Sequence, residues 1–377
     1  MAIISLGKLD KSLIPMIIGC VFTFLNRLLN QYKGTLLFKN AILSNIVFSF
    51  ARFLAIIPYI IVQVRTNNFK NTKNINDDNN LMKYISRDFK DNKKDIFKGK
   101  TIYIILASLT FFVQSILFVL TFEIKASSWI WYILIASVFY YFMFKVKLYK
   151  HHYLSILLII VIGFIIDFAT GNLVNDIKNN FGLLLLRFLR EILFSFHNVL
   201  AKYIMEKKYI SVYFFTFTDG IINIILLIIV GLIDYYCTGY NDYDEYFNNF
   251  NNSELFVLLG GIITQFGVII FLYITIKNNT PSHAFIILAF GQFAYIYSSG
   301  LTALVIICLI FILFLSLVII EIIEINFCGL SYNIKRNIIL RAENDVHVSD
   351  SKPRNESAEK IETNGYLINL SDIDSEN

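Results

Sequence analysis

Residues 153–170 read YLSILLIIVIGFIIDFAT, an apolar run with one charged residue, Asp167, close to its end. A bilayer core takes roughly 20 apolar residues of α-helix, so the run is read as a membrane span. Working outward, comparable runs cover 13–30, 43–64, 101–122, 128–144, 181–201, 211–233, 255–276, 282–298 and 301–323. That makes ten expected spans. Merging either short run, 128–144 or 282–298, with its neighbour lowers the count to nine.

Composition agrees. Of 377 residues, 56% are hydrophobic and 16% charged. Soluble domains run at about 45–50% apolar and about 25% charged. A water-soluble globule is thereby excluded, and the spread of the runs excludes a single-pass protein. Each run is twice the length of a barrel strand, which argues against a membrane β-barrel. Cys20, Cys237, Cys308 and Cys328 are scattered and form no CxxC pair, so neither a zinc site nor a disulfide framework is implied. Lys8 and Lys11 precede a first run too long for a typical cleavable signal core, and the segment is read as a retained span.

Basic residues fix the expected direction. With the N-terminus in the cytosol, 25 of the 33 Lys and Arg fall on the cytosolic side and five on the other. Arg52, Arg187 and Arg190 lie inside spans. This is a positive-inside distribution, and it fits membrane orientation better than nucleic-acid binding. An even number of spans puts both termini in the cytosol. Residues 65–100 read as a polar, disordered cytosolic loop. Residues 327–377 read as a cytosolic tail, with Lys335, Arg336 and Arg341 able to face anionic lipid.

The expected fold is therefore an all-α polytopic membrane protein. Residues 1–12 precede a first five-helix half, 13–170. Asn-rich residues 171–180 form a connector to a second half, 181–326. Five being odd, the second half runs opposite to the first, as in the inverted repeats of many transporters. Thr280-Pro281 is a helix start, with Thr as N-cap and Pro in the first turn.

Candidate chemistry lies where spans carry polar groups, since ionisable residues inside a membrane normally face a bundle interior or a water-filled cavity. The sixth span contains Arg187, Arg190, Glu191, Ser195, His197, Asn198 and, at its end, Lys202. On a helical wheel Arg187, Glu191, Ser195, Asn198 and Lys202 fall within about 80°. One reading is a cavity wall for a polar or anionic solute. The other is an Arg187–Glu191 pair with the rest bonded between helices. Arg52, in the middle of the second span, costs at least about 2.5–3.5 kcal/mol if left alone. Asp219 and Asp167 are its candidate partners. Gln114, Gln265 and Gln292 are neutral polar groups suited to orienting a ligand or joining helices. Gly260, Gly261, Gly267 and Gly291 suit close helix approach. His283, beside the Thr280 cap, suits a capping role.

Asn278-Asn279-Thr280-Pro281-Ser282-His283-Ala284, followed by Gly291-Gln292, forms a polar turn entering a small-residue ninth helix. Together with ten short-looped spans divided five and five, this resembles the drug/metabolite transporter superfamily over residues 12–326. Within it, the branch of nucleotide-sugar transporters and solute carrier family 35 is most similar. The resemblance implies alternating access and a substrate such as a nucleotide sugar or other phosphorylated metabolite.

No HExxH, GxSxG or P-loop is present, which argues against a zinc protease, a serine hydrolase and an ATP-driven pump. The expectation is a non-enzymatic secondary carrier in an endomembrane or the plasma membrane. Its substrate site would comprise Arg52, Arg187, Arg190, Glu191, His197, Asp219, Gln265 and Gln292. No cofactor or metal is implied. The expected partners are a small solute and membrane lipid, and a homodimer is compatible. The competing class is a non-transporting receptor or adaptor that recruits partners through 65–100 and the tail.

Overall fold

Apolar runs without polar interruption have one way to satisfy their backbone in lipid, which is the α-helix. The computed structural model describes residues 4–6, 13–32, 41–71, 100–121, 124, 128–145, 149–238, 252–294 and 303–325. Residues 72–99, most of the 235–254 segment, Tyr295, Tyr297 and the 327–377 tail lie outside the described residues.

The helices in chain order are α1 (Ile14–Tyr32), α2 (Ala41–Phe53), α3 (Ile56–Asn71) and α4 (Thr101–Leu120). There follow α5 (Trp131–Phe144), α6 (Lys150–Thr170), α7 (Asn172–Lys207) and α8 (Val212–Thr238). The last are α9 (Asn252–Asn278), α10 (Pro281–Gly291) and α11 (Ala303–Ile319). Among the described residues, five segments are long and apolar enough to cross a membrane: Asn45–Val64, Thr101–Leu120, Lys150–Thr170, Val212–Tyr236 and Leu255–Asn278. Ile14–Leu29, Trp131–Phe144, Pro281–Gly291 and Ala303–Ile319 are apolar but shorter. Ile102, Leu157, Ile263 and Phe311 stand exposed, while Ser49, Thr216, Asp219 and Asn223 are buried. A polar interior under an apolar surface suits a membrane-embedded protein, because water penalises large exposed apolar patches. The described residues are α-helical apart from short pieces, and the protein is membrane-embedded.

Three local features depart from the sequence reading. The second span is broken: α2 ends at Phe53 and α3 starts at Ile56, with Ala55 N–H donating to the Arg52 carbonyl at 3.0 Å. Pro58 explains it. Proline has no N–H to give to residue 54, and its ring crowds that carbonyl, but it is tolerated in the first turn of a new helix. The connector 171–180 is helical apart from Gly171. That residue closes α6 at φ 69°, and α7 runs on from Asn172 with a kink at Asn180. The polar connector read from Gly171 and its asparagines is thus helical beyond the left-handed glycine, which turns the chain from α6 into α7. Lastly, Ile4–Leu6 (β1) pairs antiparallel with Ile323–Ile325 (β2), Ile4 opposite Ile325.

Helices far apart in sequence pack most closely. α1 lies on α9 and α10, α2 on α8, α4 and α5 on α7, and α6 on α11. Glycine permits the tightest crossings. A Cβ on Gly220 of α8 would stand 2.6 Å from the Phe53 amide nitrogen, and one on Gly291 would stand 2.5 Å from a Thr23 methyl. Gly267 likewise abuts Phe22, whereas Gly261 faces open space. At the α10 start, Thr280 caps as expected. Its amide donates to His283 Nδ1 at 3.3 Å, and its hydroxyl lies 2.9 Å from the same nitrogen.

Candidate functional site

The α2–α8 crossing brings Arg52 to Asp219. The two form an ion pair through Nη1 and Oδ2, buried at 6% and 0% exposure. The same Arg52 nitrogen donates to the Tyr273 hydroxyl of α9 at 3.1 Å. That hydroxyl lies 2.6 Å from His197 Nε2 on α7, and His197 Nδ1 lies 2.9 Å from the Ala107 carbonyl of α4. A carbonyl only accepts, so Nδ1 carries the proton and Nε2 accepts from Tyr273. Asn223 adds bonds from Nδ2 to the Asp219 carbonyl at 2.8 Å and to its carboxylate at 3.3 Å. The Arg52 guanidinium also sits 3.5 Å from the centroid of the Phe111 ring. The result is a charge-balanced chain across α2, α4, α7, α8 and α9. Its main side-chain groups, Arg52, Asp219, His197 and Tyr273, are all shut off from the surface.

A second polar group lies about two turns further toward the start of α7, roughly 10 Å along the axis. Arg190 Nη2 is 3.5 Å from Glu191 Oε1, and its guanidinium carbon is 5.0 Å from the Phe118 ring of α4. Its Nε and Nη1 are buried and have no hydrogen-bond partner among the described residues. Arg187 Nη1 donates to the Thr121 carbonyl at 3.4 Å. The charge of Arg27, on α1, reaches Arg190 as well. Arg190 thus faces both the Glu191 carboxylate and the like charge of Arg27, and Arg187 lies one turn away on α7. Glu191 forms an ion pair with its neighbour Arg190 on the same helix.

The remaining polar positions divide. Ser195 donates to the Tyr132 carbonyl at 3.4 Å. Lys202 donates to the Ile276 and Lys277 carbonyls, both at 3.2 Å, and pairs with Glu206 at 2.8 Å. It thereby closes the C-terminal end of α9, where helix carbonyls favour a cation. Gln265 accepts from Asn26 of α1 at 2.8 Å, and the Thr264 hydroxyl donates to the same Asn26 at 3.0 Å, so Gln265 acts as a joint between α1 and α9. Gln292 is half-buried just past α10.

The eight residues expected in one site therefore separate. Arg52, Asp219 and His197 share the closed network. Arg187, Arg190 and Glu191 form the second group. Gln265 and Gln292 belong to helix joints and ends. Sequence reasoning missed Tyr273, the hinge of the network, and Arg27, which it counted with the loop charges although α1 carries it. The signal for Arg27 was its position inside the first apolar run. No protein-family model matches the chain, and no curated protein matches it.

Proposed function

We propose that the chain is a multi-pass secondary carrier for a small organic anion, with the recognition element at Arg190, Arg187 and Arg27. One observation carries the reading. Arg190 holds two buried guanidinium nitrogens with no hydrogen-bond partner among the described residues. Unmet buried donors on a charged group are costly, and the oxygens of an anionic ligand such as a carboxylate or phosphate would accept from them. Phosphorylated metabolites, nucleotide sugars among them, have that chemistry.

The packing pattern supports two inverted halves. With α2–α3 taken together as the second span, span one packs on eight and nine, and span six packs on three and four. Exchanging each span for the one five places on turns the first pair of contacts into the second. Two with seven, five with ten, and four with nine exchange into themselves. Alternating access in such folds is one half rocking against the other. The β1–β2 pairing keeps the two ends of this unit together, which fits an even number of crossings with both ends in the cytosol, in an endomembrane or the plasma membrane.

The test is uptake of labelled phosphorylated solutes into vesicles reconstituted with the purified protein. Arg190→Leu and Arg190→Lys are both expected to lower uptake by roughly ten-fold or more, the loss of one charge-assisted contact. Arg190→Lys keeps a cation beside Glu191, so its folded yield controls for structure. Uptake unchanged in a folded Arg190→Lys protein removes Arg190 from the site. A second reading, a non-transporting adaptor, draws on the closed centre, where Arg52, Asp219 and His197 are already satisfied. It predicts no uptake of any solute by a folded protein.

A further inference from the structure

The segment Tyr149-Lys150-His151-His152 opens α6 beside the end of α11, and Glu321 follows α11. Ligand atoms of His151, His152 and Glu321 all lie within 4.8 Å of one another. His151 Nε2 is 3.5 Å from Glu321 Oε1, and the two imidazole centroids are 4.0 Å apart. His151 is 3% exposed, yet neither of its ring nitrogens has a hydrogen-bond partner among the described residues. An imidazole so deeply buried is normally bonded.

Glu321 stands in an unusual place. Ile322 N–H donates to the Leu317 carbonyl and Glu321 N–H to that of Val318, at 3.0 and 3.1 Å. These two bonds define a Schellman end, whose left-handed position is ordinarily filled by glycine. Here glutamate fills it at φ 61°. Any residue with a Cβ is disfavoured there, and such outliers gather at ligand clamps. The strained backbone brings the carboxylate to the histidine pair, and the carboxylate is partly open to solvent, at 22%.

The geometry points to a binding site for a divalent transition-metal ion of the zinc class, formed by His151, His152 and Glu321. Two imidazoles and a carboxylate, with a solvent-filled fourth position, are a common donor set for zinc. His152 is already oriented. Its Nε2 lies 3.1 Å from the Ile319 carbonyl, the second-layer bond that fixes a ligating histidine. Its Nδ1 accepts the Tyr149 amide at 3.1 Å and would exchange that bond for the metal. Closing the three ligands onto zinc–nitrogen distances of about 2.0–2.1 Å draws α6 and α11 together. It also holds β2, which begins two residues after Glu321. The inference does not depend on the carrier reading.

The test is calorimetry and thermal shift of the detergent-purified chain, freed of its affinity tag and of chelator, titrated with zinc chloride. The wild type is expected to bind one equivalent and melt at a higher temperature, since a ligand of the native state stabilises it. Glu321→Gly is the decisive variant. Glycine suits the backbone there, so the metal-free variant is expected to be at least as stable as the wild type. It should bind zinc at least roughly ten-fold more weakly. His152→Ala is expected to weaken binding as well. Absence of zinc binding by the wild type overturns the site. So does binding that persists undiminished in Glu321→Gly and His152→Ala, which would mark an adventitious ion only.

Discussion

Arg52 and Arg190 are both arginines held between helices, and they are held in opposite ways. Arg52 has a carboxylate, a phenol and an aromatic face around it, and the carboxylate and phenol are in turn bound by Asn223 and His197. Arg190 has one carboxylate at the edge of ion-pair range, an aromatic ring, and two nitrogens with no hydrogen-bond partner among the described residues. A charge whose neighbours are all supplied by the protein fastens helices together. One left short of neighbours is suited to a partner from outside. The residue type is identical in both cases, so the distinction lies in what surrounds it.

Stability measurements can break that comparison. The largest effect is expected from Asp219→Leu, which strands Arg52. Removing one member of a buried pair costs about 3–5 kcal/mol. Replacing both, in Arg52→Leu with Asp219→Leu, is expected to recover most of it. Thermal denaturation in detergent reads both, and an unaffected single variant would show that Arg52 has another sufficient partner. Next comes Tyr273→Phe. Interhelical hydrogen bonds in membranes average about 0.6 kcal/mol and reach about 1.7, so losing the two at this hydroxyl is expected to cost about 1–2 kcal/mol. The smallest effect belongs to Arg190→Lys. It keeps the charge near Glu191 and deletes the unmet donors, so its melting temperature should stay within the equivalent of about 0.5 kcal/mol of the wild type. A loss as large as that of Asp219→Leu would make Arg190 a second structural fastener.

Much of the fold was legible because the membrane imposes a length and a composition. The run at 153–170 became α6, and Thr280-Pro281 started α10 where the cap chemistry put it. The break before α3 was missed in a run read as one span, although Pro58 carried its signal, since a proline disturbs the turn that precedes it. The partner of Arg52 was legible only to a choice of two. Deciding between Asp167 and Asp219 requires knowing that α2 crosses α8, a fact about distant helices that no local pattern encodes. Tyr273 was one of 22 tyrosines, with nothing in its neighbours to set it apart. That the connector is helical from Asn172 was not legible, because asparagine gives little helical signal. The β1–β2 pairing was invisible, for three residues are too few to show an alternation.

That pairing has a consequence for how the protein is made. The first strand finds its mate more than 300 residues later, and α1 rests chiefly on α9 and α10. While the ribosome is still delivering the chain, α1 therefore waits without its permanent neighbours. Assembly can finish only once α11 has been released, and a nascent chain stalled after α8 is expected to be a substrate for quality control.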